Sequence, residues 1–132
     1  MKRFFKISAD ILAATGILLI MGLIASKYSQ QYQSIAMQAE NFAGGYQVLH
    51  RMVGGTLAIC LAWLLRIYRR SIAKQGLLFI LILFCYAFDE WLQSLVPHRH
   101  ASLDDFKNSA AGWSVALILW ASIFWIRKVR IK

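Results

Sequence analysis

The sequence predicts an all-α, polytopic membrane protein: four transmembrane helices in one domain, residues 1–132, with both termini on the cytoplasmic side. Three observations lead there. Hydrophobic residues make up 59% of the 132 positions, above the roughly 45–50% usual in soluble domains. Four apolar stretches, at approximately 7–25, 46–65, 76–96 and 103–126, reach the length of about 20 residues that a bilayer core requires; in the last, the unbroken apolar part begins at Ala110. Most of the cations, finally, cluster in three places: Lys2, Arg3 and Lys6 at the start, Arg66, Arg69, Arg70 and Lys74 between the second and third stretches, and Arg127, Lys128, Arg130 and Lys132 at the end. Cytoplasmic loops are enriched in Lys and Arg, so these three clusters mark one side of the membrane.

The first span, 7–25, has the basic start and apolar core of a secretory signal, but Leu23 two places before Ala25 is a poor small residue for cleavage. A retained anchor is expected. Asp10 falls near its beginning, where head groups and a helix N-terminus both tolerate an acid.

Between Lys27 and Gly45 lies a long, glutamine-rich outer loop. Tyr28, Tyr32, Ile35, Ala36, Ala39 and Phe42 recur at helical spacing. The segment reads equally as a short helix lying on the membrane surface or as an irregular loop, with Gly44 and Gly45 turning the chain into the second span. Gly54 and Ala58 in that span, and Gly112 and Ala116 in the fourth, have the small-xxx-small spacing of closely packed membrane helices.

The third span holds the feature that most needs a reason. The apolar run Leu77–Phe88 meets Asp89 and Glu90 side by side. A charged side chain near the bilayer centre costs roughly 2.5–3.5 kcal/mol. At a rise of about 1.5 Å per residue the two acids lie roughly 20 Å up from the cytoplasmic end of the span. His50 and Arg51, one turn into the descending second span, reach a similar level. Gln93 is i+4 from Asp89 and i+3 from Glu90, on their general face. The third loop adds His98, Arg99, His100, Asp104, Asp105 and Asn108 at the same end. Intramembrane ionisable groups face the bundle interior and find partners, and Arg51 and Arg99 are the expected counter-ions. The same convergence would also serve as a purely structural polar plug.

Ser102-Leu103-Asp104-Asp105 reads as a capping box opening the fourth span, which alone would account for Asp105. Trp113, Trp120, Trp125 and Tyr68 read as packing or interface anchors. Cys60 and Cys85 lie inside spans without metal-ligand spacing, as small apolar packing residues.

The stretch from Asp89 to Gly112 resembles the signature of the VanZ-like family. That pattern runs D-E-x-x-Q, then P-x-R, then S-x-x-D, then Asn and Gly at the last helix; Asp89, Glu90, Gln93, Pro97, Arg99, Ser102, Asp105 and Gly112 match it in order and spacing. The family's asparagine falls four places after its aspartate. Ser109 stands there and Asn108 precedes it, so either Asn108 acts from a rotated position or Asp104 is the motif aspartate. At the start of the second span the family tends to carry Asp-Lys-x-x-His; His50 matches, but Tyr46 and Gln47 replace the charged pair. The resemblance implies a four-helix membrane protein of the cell membrane, linked with reduced susceptibility to teicoplanin.

These residues, read with the resemblance, point to an outer-leaflet polar pocket that binds or handles a cell-envelope amphiphile: a lipoglycopeptide, as the resemblance implies, a polyprenyl-linked cell-wall precursor or a lipid head group. Arg51 and Arg99 would take phosphate or carboxylate in a forked geometry. His50, Asp89, Glu90, Gln93, Asp104, Asp105 and Asn108 would complete the ligand-binding set. The alternative is a membrane-embedded enzyme on a lipid head group, with Glu90, His50 and Asp89 as candidate catalytic groups, since adjacent carboxylates beside a histidine suit acid–base work. A proton-coupled exporter fits less well, the acids being close to one side; haem is disfavoured because only His50 lies in a span. Although His98, His100, Asp104 and Asp105 have the donor types for a divalent ion, exposed His and Asp beside a proline ordinarily face water. Neither metal nor cofactor is assigned. The expected partners are membrane lipids, anionic head groups at the basic clusters among them. Nucleic acid is excluded: the net charge of +9 sits on span flanks with no recognition fold to present it.

Overall fold

The computed structural model describes residues 2–97 and 101–125, with side chains from Lys6 onward. His98, Arg99, His100 and the basic C-terminal cluster from Arg127 lie outside the described residues. Five α-helices follow in order: α1 (Lys2–Lys27), α2 (Gln33–Ala43), α3 (Tyr46–Leu64), α4 (Ile72–Gln93) and α5 (Leu103–Trp120), the last running into a π-helical turn, Ala121–Trp125. No strand occurs among the described residues. Among the described residues, four segments are long and apolar enough to cross a membrane: Lys6–Lys27, Tyr46–Leu64, Ile72–Gln93 and Leu103–Trp125.

The helix ends differ from the sequence reading where side chains cap them. α4 begins four residues before Gly76, because Ser71 Oγ accepts the Lys74 N–H at 3.4 Å. It ends at Gln93 rather than Val96; residues 94–97 form turns, as the restriction on the residue before Pro97 favours. Asp89 and Glu90 thereby fall in its last turn. α5 starts where the capping box places it, with Ser102 Oγ accepting the Asp105 N–H at 3.2 Å. Ser102→Ala is expected to lower stability by about 1 kcal/mol, read as a lower midpoint of thermal unfolding in detergent.

The segment between Lys27 and Gly45 does contain a helix, α2, 11 residues long. It ends on Gly44 at φ 90° and Gly45 at φ 124°, backbone conformations that side chains strain. Its apolar positions divide. Ala36 is buried, whereas Ile35 and Phe42 project from the protein, Phe42 at 97% exposure.

The closest packing joins α3 to α5. A Cβ on Gly112 would collide with the carbonyl oxygen of Arg51, and one on Gly54 with that of Ser109; a Cβ on Gly55 would lie 3.0 Å from the Gly112 carbonyl oxygen. The two backbones touch because these positions carry no side chain. Against this pair α4 brings Phe79, Ile82 and Tyr86, which form the core with Leu57, Ala58, Ala116 and Trp120. Gln75, which has no place in the sequence reading, is wholly buried; its Oε1 accepts the indole N–H groups of Trp120 at 2.8 Å and Trp125 at 2.9 Å. At the same end of the bundle, Asp10 accepts the Trp63 indole N–H at 2.9 Å and pairs with Arg66 at 3.5 Å. That contact, rather than the helix N-terminus alone, holds Asp10.

α1 lies chiefly against α3, and α4 against α5. Between α1 and α4 the bundle stays open.

Candidate functional site

That opening is a cavity of about 380 Å³. Ile17, Met21 and Ile24 of α1, Val53, Leu57 and Leu61 of α3, and Ile82, Cys85 and Tyr86 of α4 form its apolar walls. Tyr86 is fixed there by donating its hydroxyl to the Gly54 carbonyl at 2.6 Å. Lys27, His50, Asp89, Glu90 and Ser109 line one end. From Ile17 to Lys27 the helical rise gives a slot roughly 15 Å long, apolar below and charged at its head.

Five segments build the head. α1 ends on Lys27; Tyr28 follows it; His50 lies in the second turn of α3; Asp89 and Glu90 close α4; Asp105, Asn108 and Ser109 fall in the first two turns of α5. Lys27 is only 7% exposed, and its Nζ stands 2.8 Å from His50 Nε2. An ammonium can only donate, so Nε2 accepts and the ring proton sits on Nδ1, from where it reaches Ser109 Oγ at 3.3 Å. Asp105 Oδ2 is 3.6 Å from the same Nε2. Glu90, 8% exposed, accepts the Ser102 backbone N–H at 3.2 Å. This substitutes for the reciprocal half of the capping box: α4 supplies the acid that caps Ser102, and the Asp105 carboxylate is left to turn toward His50.

The two adjacent carboxylates serve different networks. Glu90 turns inward to the Ser102 cap. Asp89 accepts the Tyr28 hydroxyl at 2.5 Å and the Gln93 amide at 2.8 Å. Successive residues on a helix point about 100° apart, so neighbours cannot share one set of partners.

Several expected site residues sit elsewhere. Arg51 is exposed; its Nε donates to Asn108 Oδ1 at 2.9 Å, and among the described residues it pairs with no carboxylate. The helix turns Arg51 off the face that carries His50, and Lys27 is the cation that meets the cluster instead. Arg99 lies outside the described residues, as do His98 and His100. Asp104 is exposed and pairs with Lys107 at 3.4 Å; Asp105 alone of the two faces the site. Asn108 is spent on Arg51 and on the Asp104 carbonyl at 2.8 Å. Gln93 is buried and donates its amide to Asp89 Oδ2 at 2.8 Å.

Sequence reasoning did not place Lys27, Tyr28 or Ser109 in the site. Lys27 is the one charged residue between Asp10 and Glu40, a usable signal, but a lysine ending an apolar stretch ordinarily reads as an interface anchor. Cys60 and Cys85 are free thiols on spans, Cys60 partly buried and Cys85 exposed on the slot wall.

Chemically, the head offers hydrogen-bond donors and acceptors, a histidine between a hydroxyl and a carboxylate, and enough anionic oxygen for a cation. One donor atom from each of His50, Glu90 and Asp105 lies within 4.8 Å of the other two. No family model, curated protein or solved structure matches this chain.

Proposed function

We propose that the protein is a multi-pass protein of the cell membrane that binds or handles a cell-envelope amphiphile, its apolar tail in the slot between α1 and α4 and its polar head among Lys27, His50, Glu90 and Ser109. The observation that carries this reading is the form of the slot: apolar for most of its length, open between two helices, and ending in a compact polar cluster. Ligand sites are typically concave and mostly apolar with a few convergent polar groups, and a lateral opening admits a molecule whose tail never leaves the lipid.

With the basic flanks cytoplasmic, the slot head belongs to the outer leaflet. α2 then lies on the outer surface, and its exposed Ile35 and Phe42 enter the acyl boundary as in interfacial helices. The motif from Asp89 to Gly112 supports a place among VanZ-like proteins and, through them, a role in the response to lipoglycopeptides such as teicoplanin. A lipid-linked cell-wall precursor and a lipoglycopeptide share the required chemistry: a polar, hydrogen-bonding head on a hydrocarbon tail.

Cys85→Trp tests this. Cys85 is exposed and lies on the slot wall, so the indole fills the slot without entering the α3–α5 seam. Native mass spectrometry of the detergent-purified protein is expected to show co-purified amphiphile on the wild type and at least about a tenfold loss on the variant, with unfolding unchanged. Equal occupancy on both contradicts the reading.

A second reading, acid–base chemistry on a bound head group, draws on one observation: His50 Nε2, the ring nitrogen that carries the lone pair, lines the slot head 3.6 Å from Asp105 Oδ2, where it can take a proton from a bound group. Turnover of a lipid ester or phosphate that is lost in His50→Ala, with the protein still folded, separates this reading from binding alone.

A further inference from the structure

We infer that His50, Glu90 and Asp105 form a divalent-cation site, of the zinc class, whose ion competes with the Lys27 ammonium for the same position. The donors are one imidazole and two carboxylates, brought from α3, α4 and α5. Three protein ligands of N and O type with a fourth position left open is the pattern of accessible zinc centres.

The spacing fits. Zinc bonds of about 2.0–2.2 Å in tetrahedral array put ligand atoms about 3.4 Å apart. His50 Nε2 and Asp105 Oδ2 are 3.6 Å apart, and all three donor atoms fall within 4.8 Å of one another. A small rotation of the Glu90 carboxylate closes the rest.

The surroundings of the ligands are also those of a metal centre. A metal-bound histidine usually hands its other ring N–H to an acceptor, which fixes tautomer and ring plane; His50 Nδ1 meets Ser109 Oγ at 3.3 Å. The Glu90 carboxylate is steadied by the Ser102 N–H at 3.2 Å. Asp105 is anchored through its own N–H on Ser102 Oγ.

Lys27 supplies the independent sign that a cation belongs here. Its Nζ lies 2.8 Å from Nε2, the nitrogen that would ligate. An ammonium presents one positive charge to that nitrogen, while Glu90 and Asp105 together bring two negative ones. A divalent ion matches that charge, and like charges at about 4 Å repel strongly away from bulk water. Ion and ammonium therefore exclude each other. With Lys27 displaced, the fourth position faces the slot, which both Glu90 and His50 line. The site does not depend on the lipid reading: the ion is bound by the protein's own side chains in detergent, with no amphiphile added.

Zinc titration by calorimetry, with cobalt(II) absorbance as the second readout, tests the inference on wild type, Lys27→Gln, Lys27→Met and His50→Ala. One zinc per chain is expected in the wild type. Affinity rises at least about tenfold when the competing charge is removed, and tetrahedral cobalt bands appear in the visible. Lys27→Gln keeps a polar hydrogen-bonding end on a slightly shorter side chain, and stands in if Lys27→Met does not fold. His50→Ala loses the site, and Ser109→Ala weakens it by about 10–100-fold. Zinc binding of equal strength in His50→Ala places the ion elsewhere and overturns the inference; so does unchanged affinity in both Lys27 variants, or no binding in any of them.

Discussion

Gly112→Leu is expected to abolish the folded bundle. Even a Cβ at this position would overlap the Arg51 carbonyl oxygen, and the collision is with backbone, not with the end of a flexible side chain. Overpacking a core by a few methylenes costs about 1–3 kcal/mol when side chains can move aside; here α3 and α5 must separate, so the loss exceeds that range. The damage reaches the slot head directly. His50 lies on α3, and Asp105 and Ser109 on α5; only the contact of the two backbones brings Nε2 to 3.6 Å from the Asp105 carboxylate. Gly76 provides the control. It lies inside α4, a Cβ there meets nothing within 4 Å, and Gly76→Ala is expected to be neutral or up to about 1 kcal/mol stabilising through helix propensity. Gel filtration and thermal unfolding in mild detergent check both: Gly112→Leu aggregates or unfolds far below the wild type, and Gly76→Ala matches or exceeds it. A well-folded Gly112→Leu would show that α3 and α5 do not pack through these glycines.

The second large effect concerns the cation. Without added metal, Lys27→Met is expected to cost about 1–3 kcal/mol, the penalty for leaving the buried His50 Nε2 without its donor. Lys27 is 7% exposed, and its Nζ stands 2.8 Å from His50 Nε2, so its loss strands a buried acceptor beside Glu90 and Asp105. Arg51→Met, by contrast, removes an exposed side chain whose bond is to Asn108, and is expected to cost under about 1 kcal/mol. Chemical unfolding of the two variants in the same detergent separates the roles. A larger loss for Arg51→Met than for Lys27→Met would mean that the acids are neutralised as the sequence alone suggested.

That reversal shows where the sequence stops being legible. The spans could be read because hydrocarbon thickness imposes length and apolar content on each segment separately, and the start of α5 because Ser102 and Asp105 are three residues apart in one chain. The α3–α5 seam was visible for the same reason: Gly54 with Ala58, and Gly112 with Ala116, carry their spacing within single helices. Site geometry is a property of helices turned against one another. A rotation of about 100° decides whether His50 or Arg51 enters the slot, and nothing local to α3 fixes it. Lys27 is hidden by the same logic, since its role depends on α1 lying beside α3 with its last turn level with His50. Glu90 is hidden differently: its partner is the backbone N–H of Ser102, and a backbone group leaves no mark in composition or spacing. Gln75 is a fourth case: its Oε1 meets two indoles from another segment, while its amide donates to the Arg70 carbonyl at 3.0 Å.

All of this depends on charges from separate helices compensating one another at the head of a membrane-embedded slot. A double-mutant cycle of Lys27→Met and Glu90→Gln, followed by unfolding in metal-free detergent, tests that most directly. A coupling of at least about 1 kcal/mol is expected, with the double variant more stable than Lys27→Met alone, because neutralising Glu90 removes an acid from a slot head that has lost its ammonium. Strictly additive losses, or a Lys27→Met protein as stable as the wild type, would contradict it.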